Sequence, residues 1–441
     1  MSSVKQVANP KPREFFWLLA LIVVVGLLVR IGAAVWWESR MPAGERFLFG
    51  DSLGYEIHAR HIAKGEDFAY GSAYVTRTPG YCVMLAPFYW FADEPPTMAL
   101  RMVGIVCGAA AIALAAWIAR MLFDPVAAVI AAALVALYPG AIAMSVFILS
   151  EAPFAPLMLL NLGWIIVALR GETMTKRLNF AALAGVVFGI AILTRPSWLM
   201  FPFFAVPFGI VFYPQRKQQL AIYAMAALTA AMVMTPWWVR NYQVIGQFVP
   251  TTLQVGASLY DGISPIATGA SDMRFVNDFE QQLQAIEAEA TQPLPGTHES
   301  RRDAMMKQAA IEWAFDNPVQ VMRLAAVKFW RYWTPLGNNE EMSGKMAFVL
   351  AAGYLPIVVT GLWGTTLYAR RSWTYLLLAL PIFYFCCLHM VFVSSIRYRQ
   401  PPMLALAVLS AGLLASWLHK AWPNAAEVPA TKGESDFTEK S

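Results

Sequence analysis

Stretches of about twenty consecutive apolar residues recur along the chain with hardly a charge in them, and a bundle of membrane-crossing helices is the arrangement that accommodates so many. A bilayer core about 30 Å thick is crossed by about 20 helical residues, and lipid offers the backbone no partners, so each crossing segment must satisfy its own hydrogen bonds as a helix does. Such runs lie near 15–37, 97–119, 125–145, 149–169, 178–193, 196–213, 218–239, 346–369, 372–393 and 401–419. With 58% hydrophobic and 14% charged residues among 441, and a mean hydropathy of +0.50, most of the surface must face lipid. The expected fold class is an all-α polytopic membrane protein with about ten transmembrane helices and two outer loops.

Charge distribution orients the bundle. The apolar piece 78–92 is short for a span, contains Pro79 and Pro87, and is followed by Asp93 and Glu94. Reading it as re-entrant or interfacial puts Lys5, Lys11 and Arg13, then Arg120, then Arg170, Lys176 and Arg177, then Arg216 and Lys217, then Arg370 and Arg371 on one face. By the positive-inside rule that face is cytoplasmic; counting 78–92 as a span would split the clusters. The expected organisation is a cytoplasmic N-terminus 1–14, a transmembrane module 15–239 enclosing the first outer loop 38–96, a second outer loop 240–345, C-terminal spans 346–419 and a cytoplasmic, disordered tail 420–441. No cleavage motif follows the first span, which is read as retained.

The second loop predicts helices over 271–290, 300–315 and from Asn317 onward. The last carries Met322, Ala325, Ala326, Phe329, Trp330 and Trp333 on one face with Arg323, Lys328 and Arg331 around it, the pattern of a helix lying in the membrane interface. Cys82, Cys107, Cys386 and Cys387 lack metal-ligand spacing and read as packing residues. The net charge of +5 reports topology and lipid contact, so membrane lipids are partners and nucleic acid is not.

The polar run GDSLGYEIHARHIAKGEDFAYGSAYVTRTPGY, from Gly50 to Tyr81, interrupts this apolar pattern early. Asp51 occupies a helix-start position, Leu53, Ile57 and Ile62 form a weak apolar stripe, and Gly65 closes the helix, which predicts a short helix on the membrane surface. Asp51, Tyr55, Ala59, Gly65 and Phe68, followed by Arg77-Thr78-Pro79-Gly80-Tyr81, resemble the first outer loop of the GT-C glycosyltransferases, in particular the protein O-mannosyltransferase and aminoarabinose transferase branch. Ser150-Glu151, the LTRP run at 193–196 and PWWVRNY at 236–242 extend the resemblance over the first seven helices. Two positions depart from it: Cys82 stands where a proline often follows Gly-Tyr, and Thr76-Arg77-Thr78-Pro79 replaces an acid-lysine pair before a double proline.

Arginines on the outer face run against the topology signal. These are Arg77, Arg195, Arg240, Arg397 and Arg399. A guanidinium is a planar fork of donors matched to phosphate oxygens, so several together would hold a lipid phosphate at the headgroup depth; taken singly, each reads equally as a snorkelling anchor. Arg77, Arg397 and Arg399 are expected to grip the donor phosphate, while Arg195 and Arg240 hold helix ends. Arg30, inside the first span, is expected to be structural with a partner on the outer face.

The resemblance implies a membrane glycosyltransferase that takes a sugar from a polyprenyl-phosphate donor and passes it, with inversion, to a lipid, glycan or protein acceptor hydroxyl at the periplasmic face of a bacterial inner membrane. It makes Asp51 the general base, Glu151 a supporting acid, and Tyr55 and Tyr81 part of the donor pocket. The residues alone leave Asp51 open as a helix cap and Glu151 as a membrane-edge charge. No cofactor is required by the sequence; some family members use a divalent metal and others do not. His58 and His61 are spaced for one but read sooner as a solvated face. A flippase or transporter of a lipid-linked sugar is the alternative, though such proteins place ionisable groups near the bilayer midplane.

Overall fold

A computed structural model describes residues 12–42, 44–336 and 344–421, and all its named elements are helices. Lys5, Lys11 and the polar tail lie outside the described residues. The chain begins with α1 (Pro12–Glu38), a mostly lipid-exposed span, followed by the first outer loop with α2 (Gly50–Lys64) and α3 (Pro79–Leu85). A 3-10 turn, Ala86–Trp90, continues α3, so 78–92 forms two short helical pieces and no span. Then come α4 (Thr97–Leu122), α5 (Pro125–Leu137), α6 (Pro139–Val146), α7 (Glu151–Arg170), α8 (Met174–Thr194), α9 (Phe201–Phe212) and α10 (Arg216–Ile245). The second outer loop holds α11 (Val255–Gly262), α12 (Phe275–Glu289), α13 (His298–Asp316) and α14 (Pro318–Trp333), and the chain returns through α15 (Gly344–Tyr368), α16 (Trp373–Val391) and α17 (Gln400–Ala421).

Eight described helices, α1, α4, α7, α8, α10, α15, α16 and α17, are long and apolar enough to cross a membrane. The span expected over 125–145 is two helices, bent by 53° between Leu137 and Pro139, because proline has no N–H to continue the ladder and pushes its predecessor out of helical geometry. Arg30 repairs the break. It is fully buried, and its Nη1 and Nη2 donate to the carbonyls of Ala136 and Val135, both at 3.1 Å, while Nε donates to Ser145 Oγ at 3.2 Å. The outer-face partner expected for Arg30 is thus replaced by carbonyls that the bent helix leaves free.

The stretch expected to span at 196–213 is a 3-10 turn, Pro196–Trp198, and the short α9. It still runs the depth of α8: Arg177, at the start of α8, donates to Gln218, at the start of α10, at 2.6 Å, so the chain leaving the far end of α8 at Arg195 must come back. Contacts at that same end join Arg170 to the Met121 carbonyl at 2.6 Å, Tyr375 to the Leu122 carbonyl at 3.0 Å and Tyr213 to the Ala369 carbonyl at 2.6 Å. These bonds gather Arg120, Arg170, Arg177, Arg216, Arg370 and Arg371 at one end of the bundle. α7 and α17 form its buried axis, and small residues set the spacing: a Cβ at Gly185 of α8 would collide with the Ala226 carbonyl of α10.

The outer loops correct two expectations. In α2 the expected stripe faces inward only in part: Leu53 is exposed and Ile57 and Ile62 are half-buried, whereas Ser52, Glu56, His58 and Ala59 are buried. Glu56 is held there by Arg46 at 3.0 Å and the Tyr89 hydroxyl at 3.0 Å, so polar pairing, which hydropathy does not register, decides the helix's roll. In α14, Met322 and Trp330 are exposed as an interfacial helix requires, but Lys328 is buried, donating to the carbonyls of Val391 at 2.7 Å and Gly262 at 3.0 Å. The four cysteines are unpaired.

Candidate active site

At the bundle end opposite the basic clusters, five segments meet: the start of α2, the segment before α3, the junctions at the starts of α7 and α9, and the 3-10 turn Ile396–Arg399 that precedes α17. Asp51 lies in the first turn of α2 without capping it; Phe49 is the N-cap and no side chain caps the helix. Its carboxylate instead accepts from Arg77 Nη2 at 2.6 Å on Oδ1 and from Arg397 Nη2 at 2.9 Å on Oδ2. Burial opposes ionisation of Asp51, but the charges and hydrogen bonds of Arg77 and Arg397 outweigh it and hold the carboxyl down at about 2.

Glu151 opens α7 and is 2% exposed. Its Oε2 lies 3.1 Å from Arg195 Nη1, which also donates to Ser150 Oγ at 3.1 Å, and its Oε1 lies 3.5 Å from Arg397 Nε. Arg397 therefore bridges the two acids. The Tyr398 ring lies beneath the guanidiniums of Arg397 and Arg195, 4.8 and 5.4 Å from their carbons. Tyr55 and Tyr81 meet edge to face at 5.0 Å, Arg77 lies 5.2 Å over Tyr55, and the Tyr81 hydroxyl is buried without a hydrogen-bond partner among the described residues. Gly80 lets this segment dock, since a Cβ there would come within 2.6 Å of the Leu193 carbonyl at the end of α8.

The structure thus collects Asp51, Glu151, Arg77, Arg195, Arg397, Tyr55 and Tyr81, and leaves two expected residues apart. Arg399 is 2% exposed, donates to the carbonyls of Tyr332 and Thr334 at 2.6 Å each, and lies 3.7 Å over Tyr354; it anchors the end of α14 and does not reach the cluster. Arg240 donates to the carbonyls of Phe68 at 2.7 Å and Tyr74 at 2.6 Å, tying the first loop to α10. Arg195, expected at a helix end, instead belongs with the acids. His58, expected on a solvated face, is buried with Nδ1 2.6 Å from the Gly54 carbonyl, while His61 Nδ1 lies 2.9 Å from the Asp67 carbonyl.

A divalent cation does not fit this donor set. Both carboxylates are already engaged by guanidiniums, which would repel it, and the described residues contain no group of three His, Cys, Asp or Glu able to hold one. Sequence reasoning missed Gln254, whose Oε1 accepts from Arg77 Nη1 at 3.0 Å, and Glu299, whose carboxylate accepts from the Tyr74 and Val75 amides. Neither position carries a local signal: Glu299 sits in the first turn of α13, where acids are common for reasons of helix dipole alone.

The helical membrane bundle with its charged cluster under two outer loops is the GT-C-type fold expected from the first-loop motifs. Residues 77–239, less than half of the chain, match the family described as dolichyl-phosphate-mannose-protein mannosyltransferase, a match that opens on Arg77 and stops one residue short of Arg240. The fold resembles that of the oligosaccharyltransferase of Archaeoglobus fulgidus in its apo form, with a TM-score of 0.59 and 17% identity over 94% of this chain and 52% of that one. The oligosaccharyltransferase AglB from Archaeoglobus fulgidus, in complex with an inhibitory peptide and a dolichol-phosphate, is similar at a TM-score of 0.56 and 17% identity, over 96% of this chain and 52% of that one. ArnT from Cupriavidus metallidurans bound to undecaprenyl phosphate matches at a TM-score of 0.43 and 14% identity, over 92% and 78% of the two chains. The chain spans about half the length of the archaeal structures. No curated protein sequence matches it.

Proposed function

We propose that this protein is a glycosyltransferase that moves a sugar from a polyprenyl-phosphate donor to an acceptor hydroxyl at the periplasmic face of a bacterial inner membrane, with inversion at the sugar carbon. The observation that carries the reading is the charge balance of the cluster. Arg77, Arg195 and Arg397 set three positive charges against the two of Asp51 and Glu151, leaving one unmatched, which suits the single negative charge of a sugar phosphodiester. The dolichol-phosphate in the archaeal neighbour supports a lipid phosphate as the ligand class.

In the step proposed, the acceptor O–H bond breaks and its proton passes to Asp51. The acceptor oxygen forms a bond to the sugar carbon, and the bond from that carbon to the phosphate oxygen breaks, its electron pair leaving with the lipid phosphate. The phosphate gains one negative charge as Asp51 loses one, so the site stays matched throughout. Arg397, already shared between acids, turns from the neutralised Asp51 to the departing phosphate and stabilises it most strongly in the transition state. A carboxylate with a pKa of about 2 is a feeble base, and a donor phosphate that draws Arg77 and Arg397 toward itself raises it. Glu151 keeps Arg195 and Arg397 in place.

The test is incubation of the purified protein with radiolabelled polyprenyl-phosphate sugars. Release of free polyprenyl phosphate, or transfer of label to an acceptor, is the expected result. Movement of intact label across a proteoliposome membrane, with no release over a panel of donor sugars, would instead establish the transporter reading.

A further inference from the structure

We infer that Glu299 is a positioning residue for Arg77: from the second outer loop, its carboxylate fixes the backbone that aims this guanidinium at Asp51 and the donor phosphate. The inference rests on the reading of Arg77 as a phosphate ligand.

Arg77 ends an irregular segment. Between α2 and α3 the backbone makes no regular element, only an isolated bridge between Tyr70 and Ala73, so the aim of a long side chain there has to be imposed from outside. Glu299 supplies much of that constraint. Its Oε2 accepts from the Tyr74 amide at 2.7 Å, and both oxygens accept from the Val75 amide, at 3.1 and 3.2 Å. The opposite side of the same two residues is held as well: Arg240 donates to the Tyr74 carbonyl at 2.6 Å and the Leu253 amide to the Val75 carbonyl at 2.9 Å. Two residues on, Arg77 Nη1 meets Gln254, the neighbour of Leu253, so the clamp extends from the backbone to the guanidinium itself.

Glu299 is itself fixed. It is 3% exposed, and it lies in the first turn of α13 inside a capping box in which Thr297 and Ser300 exchange hydrogen bonds. A carboxylate with both oxygens on the buried Val75 amide and one also on the half-buried Tyr74 amide cannot be deleted without leaving donors unsatisfied. It touches neither Asp51 nor Glu151, so its influence on the site passes through where Arg77 sits. That route makes a prediction which general structural support does not: the effect of losing Glu299 should vanish once Arg77 is gone.

The experiment is a double-mutant cycle on the full-length protein in detergent, with undecaprenyl phosphate as the probe and its Kd as the readout. Arg77→Ala should weaken binding by about tenfold, and Glu299→Ala by a comparable factor. In the Arg77→Ala background, adding Glu299→Ala should weaken it by less than about twofold. Glu299→Gln keeps the volume and one acceptor oxygen, so it should fall between wild type and Glu299→Ala; it also replaces Glu299→Ala in the cycle should that variant not fold. Losses that multiply in the double variant, or an unchanged Kd in both Glu299 variants while Arg77→Ala binds weakly, overturn the positioning role alone. Failure of the wild-type protein to bind undecaprenyl phosphate, or an unchanged Kd in Arg77→Ala, overturns the reading of Arg77 and this inference with it.

Discussion

Asp51 Oδ2 and Arg397 Nη2 lie 2.9 Å apart across 346 residues of sequence, so the first outer loop and the turn before the last span are joined at one ion pair. The acid proposed to take the acceptor's proton and a cation proposed to hold the donor's phosphate are each other's partner. Competition between carboxylate and phosphate for one guanidinium is therefore built into the proposed site.

Asp51→Asn should abolish transfer, with a rate loss of about a hundred to ten thousand fold for a missing general base. The same variant should bind undecaprenyl phosphate more tightly than wild type by severalfold, because the amide no longer competes for Arg77 and Arg397. Calorimetric titration and donor turnover measured on one preparation check both; equal or weaker binding would contradict the shared-arginine arrangement.

The two arginines flanking Tyr398 should behave differently. Arg397→Ala should weaken lipid-phosphate binding and slow turnover with little change in thermal unfolding, and Arg397→Lys should fall between, since lysine keeps the charge without the fork. Arg399→Ala should act first on stability, freeing two buried carbonyls at a cost of about 1–3 kcal/mol each. Melting curves in detergent beside Kd values separate the two; parallel losses of binding at unchanged melting temperature in both would place Arg399 in the phosphate site after all.

The pairing of Asp51 also sets a pH dependence. Its folded pKa of about 2 lies below the ordinary carboxylate value of 3.8, so its contribution to stability is complete above that ordinary value and is lost as pH falls toward 2. The difference in melting temperature between wild type and Asp51→Asn should hold constant from pH 7 to pH 5 and narrow below about pH 4. A difference that begins to narrow near neutrality would mean that Asp51 is not held by the arginines in solution.

A reporter fused after Arg371 and one fused within α12 should fall on opposite sides of the membrane, the first in the cytoplasm. The reverse placement, α12 in the cytoplasm and Arg371 outside, would mean that the chain between Arg195 and Arg216 does not cross, against the hydrogen bond from Arg177 to Gln218 that brings it back, and both on one side would mean that α15 does not cross.

Eight of the ten expected membrane spans, and the end at which the polar loops gather, were legible in the sequence alone, because lipid solvation depends on apolar residues summed over each segment and helical hydrogen bonds close within four residues. The same local reading led to the outer arginines, since a cation away from the basic face stands out against the topology, whereas Asp51 and Glu151 are singled out only by the resemblance of the motifs around them. Which groups each arginine meets was decided only by the tertiary structure. In a 3-10 turn with three residues per revolution, Arg397 and Arg399 point in different directions, one to Asp51 and the other to the carbonyls at the end of α14. Arg30 found its partners in a helix broken more than 100 residues away, and Glu299 reached amides 224 and 225 residues back. Hydrogen bonds are directional and short, so a partner chosen by packing leaves no mark in the residues beside it.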